Sequence, residues 1–483
     1  DFINSNNKIE FHHKSGWAEI TYNYERKKSN GAQNLYNPDF GQEGYEFKKG
    51  FGKKDKSFIE IGYLKRSNDS IHNGNLNTVN SYDSYFINSQ IINDKKTKFN
   101  LYINQNNLRL INENRNEDFL NTKLIYNQKI FKNFVDSNLF FETNSGNLPQ
   151  QEFTFLEVEP GLGNYKWIDI NNNGIQELEE FEIAVFEDEG RYIRVLLPNQ
   201  IFIRTYQNKL NYSLKLNFLN WKNSEHRFNR FFSKISNQFQ YSLDKKTNLN
   251  LNPEIELNPF EIDENSLLAY NYSLKNVFYF NRAQQKYSLI FTYLENKSKN
   301  NFSFGSTRNS NTQKKINFIH KISDLYVFEV IGNDQVKTNW SENFQDKNYD
   351  IKDYSINPKL TYFSGENNRI NFIYKLSNIS NLIGNQESLK QQNFGISLFL
   401  NQKEKRGFIS EFNYYKNEFN GELNSVISYV MMNGLQGGEN YTWSFKFQRK
   451  LSKLLDINFI YLGRKSNSLR TIHNGSIQLK AIF

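Results

Sequence analysis

From residue 210 to 218 the chain reads Leu-Asn-Tyr-Ser-Leu-Lys-Leu-Asn-Phe. Leu210, Tyr212, Leu214, Leu216 and Phe218 therefore share one face of an extended strand, and Asn211, Ser213, Lys215 and Asn217 the other. The same period of two returns at Tyr287/Leu289/Phe291/Tyr293, Ile370/Phe372/Tyr374/Leu376, Phe394/Ile396/Leu398/Leu400, Tyr441/Trp443/Phe445/Phe447, Leu455/Ile457/Phe459/Tyr461 and Ile477/Leu479/Ala481/Phe483. A helical stripe needs apolar residues three and four apart, and almost nowhere outside residues 175–190 is that spacing kept over two turns. The pattern predicts an all-β chain.

Such alternation fits a sandwich with one face in a core, or a transmembrane barrel with one face in lipid. The strands read as about nine to eleven residues, enough to cross a bilayer at a tilt, against about five or six in globular sheets. Their apolar positions are rich in Tyr and Phe, clustered towards strand ends as interfacial girdles require. Tight polar turns near 93–97, 129–133, 281–285, 322–324, 364–368, 402–406 and 449–454 alternate with longer Asn- and Ser-rich connections, an asymmetry that puts the short side in the periplasm. The chain ends in a strand on Phe483, similar to the C-terminal signal of outer-membrane barrel proteins, although Gln478 stands where Gly is common and the nearest is Gly475. The reading is a single transmembrane antiparallel β-barrel over residues 1–483, of about 20 strands (range 18–22), with short periplasmic turns and long extracellular loops.

Counting back from a periplasmic Phe483 keeps every tight turn periplasmic if residues 417–440 form one long external loop. That loop contains the apolar run Val426-Ile427-Ser428-Tyr429-Val430-Met431-Met432, followed by Gly434, Gly437 and Gly438. The run is either a partner contact on an exposed loop or a further strand that reverses the parity. The longest external loop is residues 145–200. A candidate strand Lys8–His13 before the Lys14-Ser15-Gly16 turn would start the chain outside, implying a region upstream. No plug-like or periplasmic repeat segment is visible before the first strands.

Composition narrows the choice. With no Cys, disulfide scaffolds, thiol nucleophiles and Cys-ligated metals are excluded. A mean hydropathy of −0.74 invites a reading of disorder, but aromatics make up 16% of the chain, which disordered segments lack. Only 7 Pro occur, as expected where long backbone ladders cannot spare a donor. No apolar run approaches the roughly 18 residues of a spanning helix. The start, Asp1-Phe2-Ile3-Asn4, carries no basic and apolar leader, so the outer-membrane reading expects a signal peptide already removed.

One local motif carries chemistry. Residues 169–180, Asp-Ile-Asn-Asn-Asn-Gly-Ile-Gln-Glu-Leu-Glu-Glu, satisfy the calcium-loop pattern D-x-[DN]-x-[DN]-G-x5-E. Asp169, Asn171 and Asn173 would give side-chain oxygens, Gly174 the sharp turn, Ile175 a backbone carbonyl, Glu177 a direct or water-mediated contact, and Glu180 a bidentate carboxylate, a hard-oxygen set suited to Ca²⁺ in a structural role. The loop resembles EF-hand and dockerin-type loops, with the start of a helix in Leu178, Phe181 and Val185 but no incoming helix. The alternative is an Asn-Gly turn beside an acidic surface. Asp169, Glu177, Glu179, Glu180, Glu182, Glu187, Asp188 and Glu189 fall without a Lys or Arg between Trp167 and Gly190, in a chain of net charge +9. An acidic island in a basic chain calls for a cation.

The stretch Leu156 to Gln200, including Gly163-Asn164-Tyr165-Lys166-Trp167-Ile168-Asp169 and Arg191-Tyr192-Ile193-Arg194-Val195, resembles a loop of large outer-membrane β-barrel proteins of the Bacteroidota. So does the ending around Gly463-Arg464-Lys465 and His473-Asn474-Gly475. The resemblance implies location and architecture, and no function.

Other signals are weaker. The basic residues are dispersed and often sit in turns such as Lys95-Lys96 and Lys245-Lys246, which argues against nucleic acid; they would instead meet lipopolysaccharide phosphates or favour anions in a pore. Adjacent His12 and His13 face opposite sides of a strand. No G-x-S-x-G elbow occurs, and no catalytic residue is assigned. The sequence thus predicts a transport or scaffold subunit of an outer-membrane complex, with surface lipoproteins or other outer-membrane proteins as partners beside lipid and lipopolysaccharide. The alternative is a stand-alone diffusion porin.

Overall fold

The computed structural model describes residues 2–27, 40–72, 75–111, 114–131, 134–149, 152–170, 173–197, 202–249, 258–282, 286–302, 305–342, 344–365, 367–402, 406–423, 425–452, 454–467 and 469–481. Among them, 21 strands lie in antiparallel sheet, and four short strands form a second sheet. The chain is all-β and antiparallel, as its periodicity predicts, and the count falls within the expected range. The seven tight turns fall where expected: strands stop and restart at Asn93/Thr97, Ile130/Val135, Phe280/Tyr287, Lys321/Tyr326, Ser364/Asn368, Gln402/Arg406 and Lys450/Leu455.

The strands are longer than expected, from the ten residues of Ile472–Ala481 to the nineteen of Asn75–Asn93. Their Asn-, Ser- and Thr-rich ends go on pairing beyond the apolar stretch that periodicity registers. The candidate strand at Lys8 is likewise longer, Phe2–His13.

The chain divides into two compact units. In the first (residues 1–149, 201–216 and 240–271), Phe2–His13 begins a meander that runs strand by strand to Val135–Pro149, which pairs with Phe202–Asn217. Ile20, Phe47 and Ile61 are exposed on one face. On the other, Glu19 is buried between Lys8 (2.8 Å) and Lys48 (3.1 Å). The Trp17 indole donates to Glu60 at 3.0 Å and lies so close over Gly50 that a Cβ there would meet the ring at 2.1 Å.

In the second unit (residues 150–200, 217–239 and 272–483), consecutive strands pair from Tyr287–Phe302 to Ile472–Ala481. Ile356, Phe372, Phe394 and Ile396 are each about half exposed on one face, while Asn371, Ser377, Gln391 and Ser397 on the other are at most 9% exposed. A water-soluble sheet would reverse that order. Apolar side chains held outwards in register form the face a bilayer covers, and cross-strand aromatic pairs such as Tyr374–Phe394 (4.7 Å) and Tyr414–Tyr441 (5.2 Å) reinforce it. The polar face is knitted by amides: Asn371 accepts from Thr361 at 2.9 Å and donates to Ser397 at 2.8 Å, and Gln391 donates to Asn417 at 2.9 Å.

The run 426–432 is neither exposed nor a strand. Val426–Met431 is a helix, capped by the Ser425 hydroxyl accepting from the Ser428 N–H and closed by Gly434 at φ +74°, whose N–H donates to the Tyr429 carbonyl. Met431, Met432 and Leu435 are buried against Ile351, Ile379 and Leu389, all on the polar side of their strands. Burial of each such side chain stabilises by about 1.5–3 kcal/mol. Periodicity missed this helix, and Arg227–Phe232, because each has only six residues.

Phe445 and Lys446 are neighbours on opposite faces of Gly438–Lys450. Phe445→Arg should cost about 2–4 kcal/mol in urea unfolding from lipid vesicles, whereas Lys446→Glu should stay within about 0.5 kcal/mol. Equal costs would show that the apolar face does not meet lipid.

Candidate functional site

The acidic segment folds as a small sheet. Glu152–Glu157 pairs with Tyr192–Leu197, which pairs at Tyr192 with Tyr165–Trp167, and that strand pairs with Phe181–Ile183. Alternation brings Phe155, Tyr165, Phe181 and Tyr192 to one face, where the Phe155 and Phe181 rings stack at 4.1 Å and Tyr192 meets Phe181 edge-on at 4.9 Å. Phe181 and Tyr192 are buried. The helix expected from Leu178 to Val185 is instead one 3-10 turn, Leu178–Glu180, followed by a strand. The stacked place of Phe181 requires extended backbone, and this overrides the helical spacing.

The calcium-loop residues connect the inner strand Tyr165–Trp167 to the edge strand Phe181–Ile183. Asp169 accepts from the N–H groups of Asn173 (3.2 Å) and Gly174 (2.9 Å), and Gly174 takes the positive φ, +70°, that the turn demands. The Asn173 side-chain oxygen accepts from the Ile175 N–H at 2.7 Å, and its amide nitrogen donates to Glu177 at 3.4 Å. Glu180 is 1% exposed. One of its carboxylate oxygens accepts from the Trp167 indole at 2.7 Å and the Glu177 N–H at 3.4 Å, and the other from the Ile170 N–H at 3.0 Å. Asn171 lies outside the described residues. Among the described residues no group of three or more His, Cys, Asp or Glu is arranged to hold a metal ion. The Asp169 and Asn173 side-chain oxygens accept from N–H groups of the loop itself, and Glu180 serves as the segment's internal acceptor.

The rest of the acidic island is clasped to the strand ends of the same unit. Arg464 forks onto Asp188, with one nitrogen on Oδ1 and the other on Oδ2 at 2.8 Å, and also donates to Glu189 at 3.2 Å. Its guanidinium lies 4.0 Å over the Phe186 ring. Tyr429, on the buried helix, donates to Glu189 at 2.8 Å and accepts from the Val185 N–H at 2.9 Å. Lys347 reaches Glu182 at 2.6 Å and the Phe181 carbonyl at 3.1 Å. Lys166 stands 4.5 Å over the Tyr429 ring and 3.4 Å from Glu189. Burial, with the Glu189 carboxylate beside it, pushes the Tyr429 hydroxyl well above the usual phenol range, so it stays a donor. Gly434 permits the close approach, since a Cβ there would come within 2.9 Å of Phe186.

Arg464 shares the polar face of Leu455–Ser466, so the acidic turn docks against polar-face side chains. Behind it lies a cavity of about 160 Å³ lined by Asp188, Asn413, Thr442 and Arg464. Lys347, Tyr429 and Arg464 were not singled out as site residues from sequence. The signals were the unexplained apolar run and the Gly463-Arg464-Lys465 ending, and the two meet in this one clasp.

No family model and no curated protein matches the chain. Among solved structures it is similar to the FrpB iron transporter from Neisseria meningitidis (F3-3 variant), 10% identical over 96% of this chain and 66% of that one, with a TM-score of 0.35. It is also similar to the closed form of the ferric-catecholate import receptor Fiu from E. coli K12, at 8% identity, 99% and 79% coverage and a TM-score of 0.35. For the outer membrane transporter YddB from Escherichia coli the figures are 8%, 97% and 80%, and 0.31. The chain thus spans just under two thirds of FrpB and about four fifths of the other two.

A double-mutant cycle with Arg464→Gln and Asp188→Asn should give a coupling of about 1–3 kcal/mol in the opening free energy of residues 181–190, read by amide hydrogen exchange. A coupling near zero would mean the fork does not hold the segment.

Proposed function

We propose that this chain is an integral outer-membrane β-barrel acting as a transport or scaffold subunit of a cell-surface complex, with the segment 150–200 as its docking module. One observation carries the reading: this segment is a folded sheet clasped at Arg464, Lys347 and Tyr429, where a loop of passive length would need no such order. The apolar outer face supports the membrane location, and cations in the turns suit lipopolysaccharide phosphates. A surface lipoprotein or second outer-membrane protein is the partner class that reaches an external module. The second reading, a diffusion porin, draws on the placing of the acidic turn against the polar face, as a constriction would be placed.

Extraction in mild detergent with calcium present, followed by mass spectrometry, should yield a partner in stoichiometric amount. A protein that emerges alone and forms open channels in planar bilayers would give the porin reading precedence.

Calcium belongs to the same proposal, as a structural ion held by Asp169, Asn171, Asn173, Ile175, Glu177 and Glu180. Bidentate ligation by Glu180 would require its carboxylate to leave the Trp167 indole. Added calcium should therefore shift tryptophan emission in the native protein, and the shift should vanish in Asp169→Ala and in Trp167→Phe. Glu180→Ala should loosen the segment with or without calcium, because it strips a buried acceptor from three N–H donors. Identical spectra with calcium and with chelator would sink the calcium assignment.

A further inference from the structure

On the polar face of the second unit, side chains are mostly amides and hydroxyls, but one row near the short turns is different. Cα pairing sets Phe363 opposite Arg369, Arg369 opposite Phe399, and Phe399 opposite Ile409. All four share the face of Ile351, Ile379, Leu389 and Tyr415 by strand parity, so this is an apolar row on the side away from lipid. Lipid solvation gives no reason for it. The Arg369 guanidinium lies 4.2 Å over the Phe399 ring, a stacked arrangement that holds its planar donors in place.

The row borders a cavity of about 890 Å³. That volume falls in the range of small-molecule sites, roughly 300–1,000 Å³, which combine apolar walls with a few convergent polar groups. Arg369, Arg406 and Lys450 bring three cations to its lining and Asp456 one acid. None of the three cations forms an ion pair among the described residues, whereas Arg464 and Lys347 at the other end of the strands are both paired. Gly407 lies between the row and Gln448, at a negative φ, and a Cβ added there would meet nothing within 4 Å. The glycine leaves the cavity wall open where any other residue would fit.

We propose that this cavity binds a small amphipathic organic anion, with an apolar or aromatic body against Phe363, Phe399 and Ile409 and a carboxylate or phosphate on Arg369 and Lys450. The excess of positive charge excludes organic cations, and the aromatic walls separate the site from one for bare inorganic anions. The inference rests on the reading of the polar face as a passage and names the class of solute taken up there.

The test uses the intact protein in lipid nanodiscs, with ¹⁹F NMR titration of 4-fluorophenyl phosphate against empty nanodiscs. Saturable binding is expected, with 4-fluorophenol and inorganic phosphate each at least about tenfold weaker. Arg369→Gln should weaken binding by about tenfold or more, the scale of a lost charge-assisted hydrogen bond. Gly407→Leu should sharply weaken binding by intruding on the apolar wall beside Ile409 while every charge remains. Both variants should melt as the native protein does, because Arg369 is exposed and Gly407 faces open space. Binding of the phenol or of phosphate as tight as that of the ester, or binding unchanged in Gly407→Leu, would overturn the proposal. Flux of the ester into liposomes separates the two readings: flux without saturable binding overturns the site and keeps the passage, and binding without flux keeps the site and overturns the passage.

Discussion

Every backbone N–H and C=O that meets hydrocarbon has to be paired within the protein, at a cost of several kcal/mol for each that is not. The rest of this chain follows from that constraint. Antiparallel ladders pair the backbone without help from side chains, so each strand is free to send one face to lipid and the other to water. Proline is scarce for the same reason. Where Pro358 does occur in a strand, the bridges to the next strand pause between Ile356 and Lys359 without a change of register. Glycine is used where a ring must lie flat on the ladder, as Gly50 does beneath Trp17 and Gly463 beneath Trp443.

What was legible in the sequence is what the ladder dictates locally. Strand faces, turn positions and strand number depend on neighbours a few residues apart, and Leu210 to Phe218 or Phe394 to Leu400 display them directly. The clasp was not legible, because its partners lie far apart in the chain: Asp188 meets Arg464 across 276 residues and Glu189 meets Tyr429 across 240. Nothing in local period or propensity connects them. The helix Val426–Met431 was hidden differently, since six residues between a Ser cap and a Gly stop are too few to show a helical stripe, and its apolar content reads equally well as a strand.

The candidate site shows how a correct local pattern acquires a different emphasis in three dimensions. The calcium-loop spacing at 169–180 is present, and Asp169 and Gly174 make the turn that the pattern requires. Glu180, which the pattern treats as a ligand, is also the buried acceptor that ties Trp167 to the loop. A sequence motif records which atoms are available, and the fold decides which of them are already engaged.

The same reasoning bears on the acidic island itself. Read along the chain, eight acids without an intervening base call for a cation, and a metal is the first that comes to mind. In the folded unit Asp188 and Glu189 share Arg464, Glu182 takes Lys347, and Lys166, just before the island, returns to Glu189. Three of the eight acids are therefore met by guanidinium and ammonium groups. Such groups give the segment a fixed seat, which a metal held only within its own loop would not. The excess of acid here and part of the excess of base in the strands are two halves of one contact, and among the described residues Arg369, Arg406 and Lys450, near the short turns, form no such ion pair.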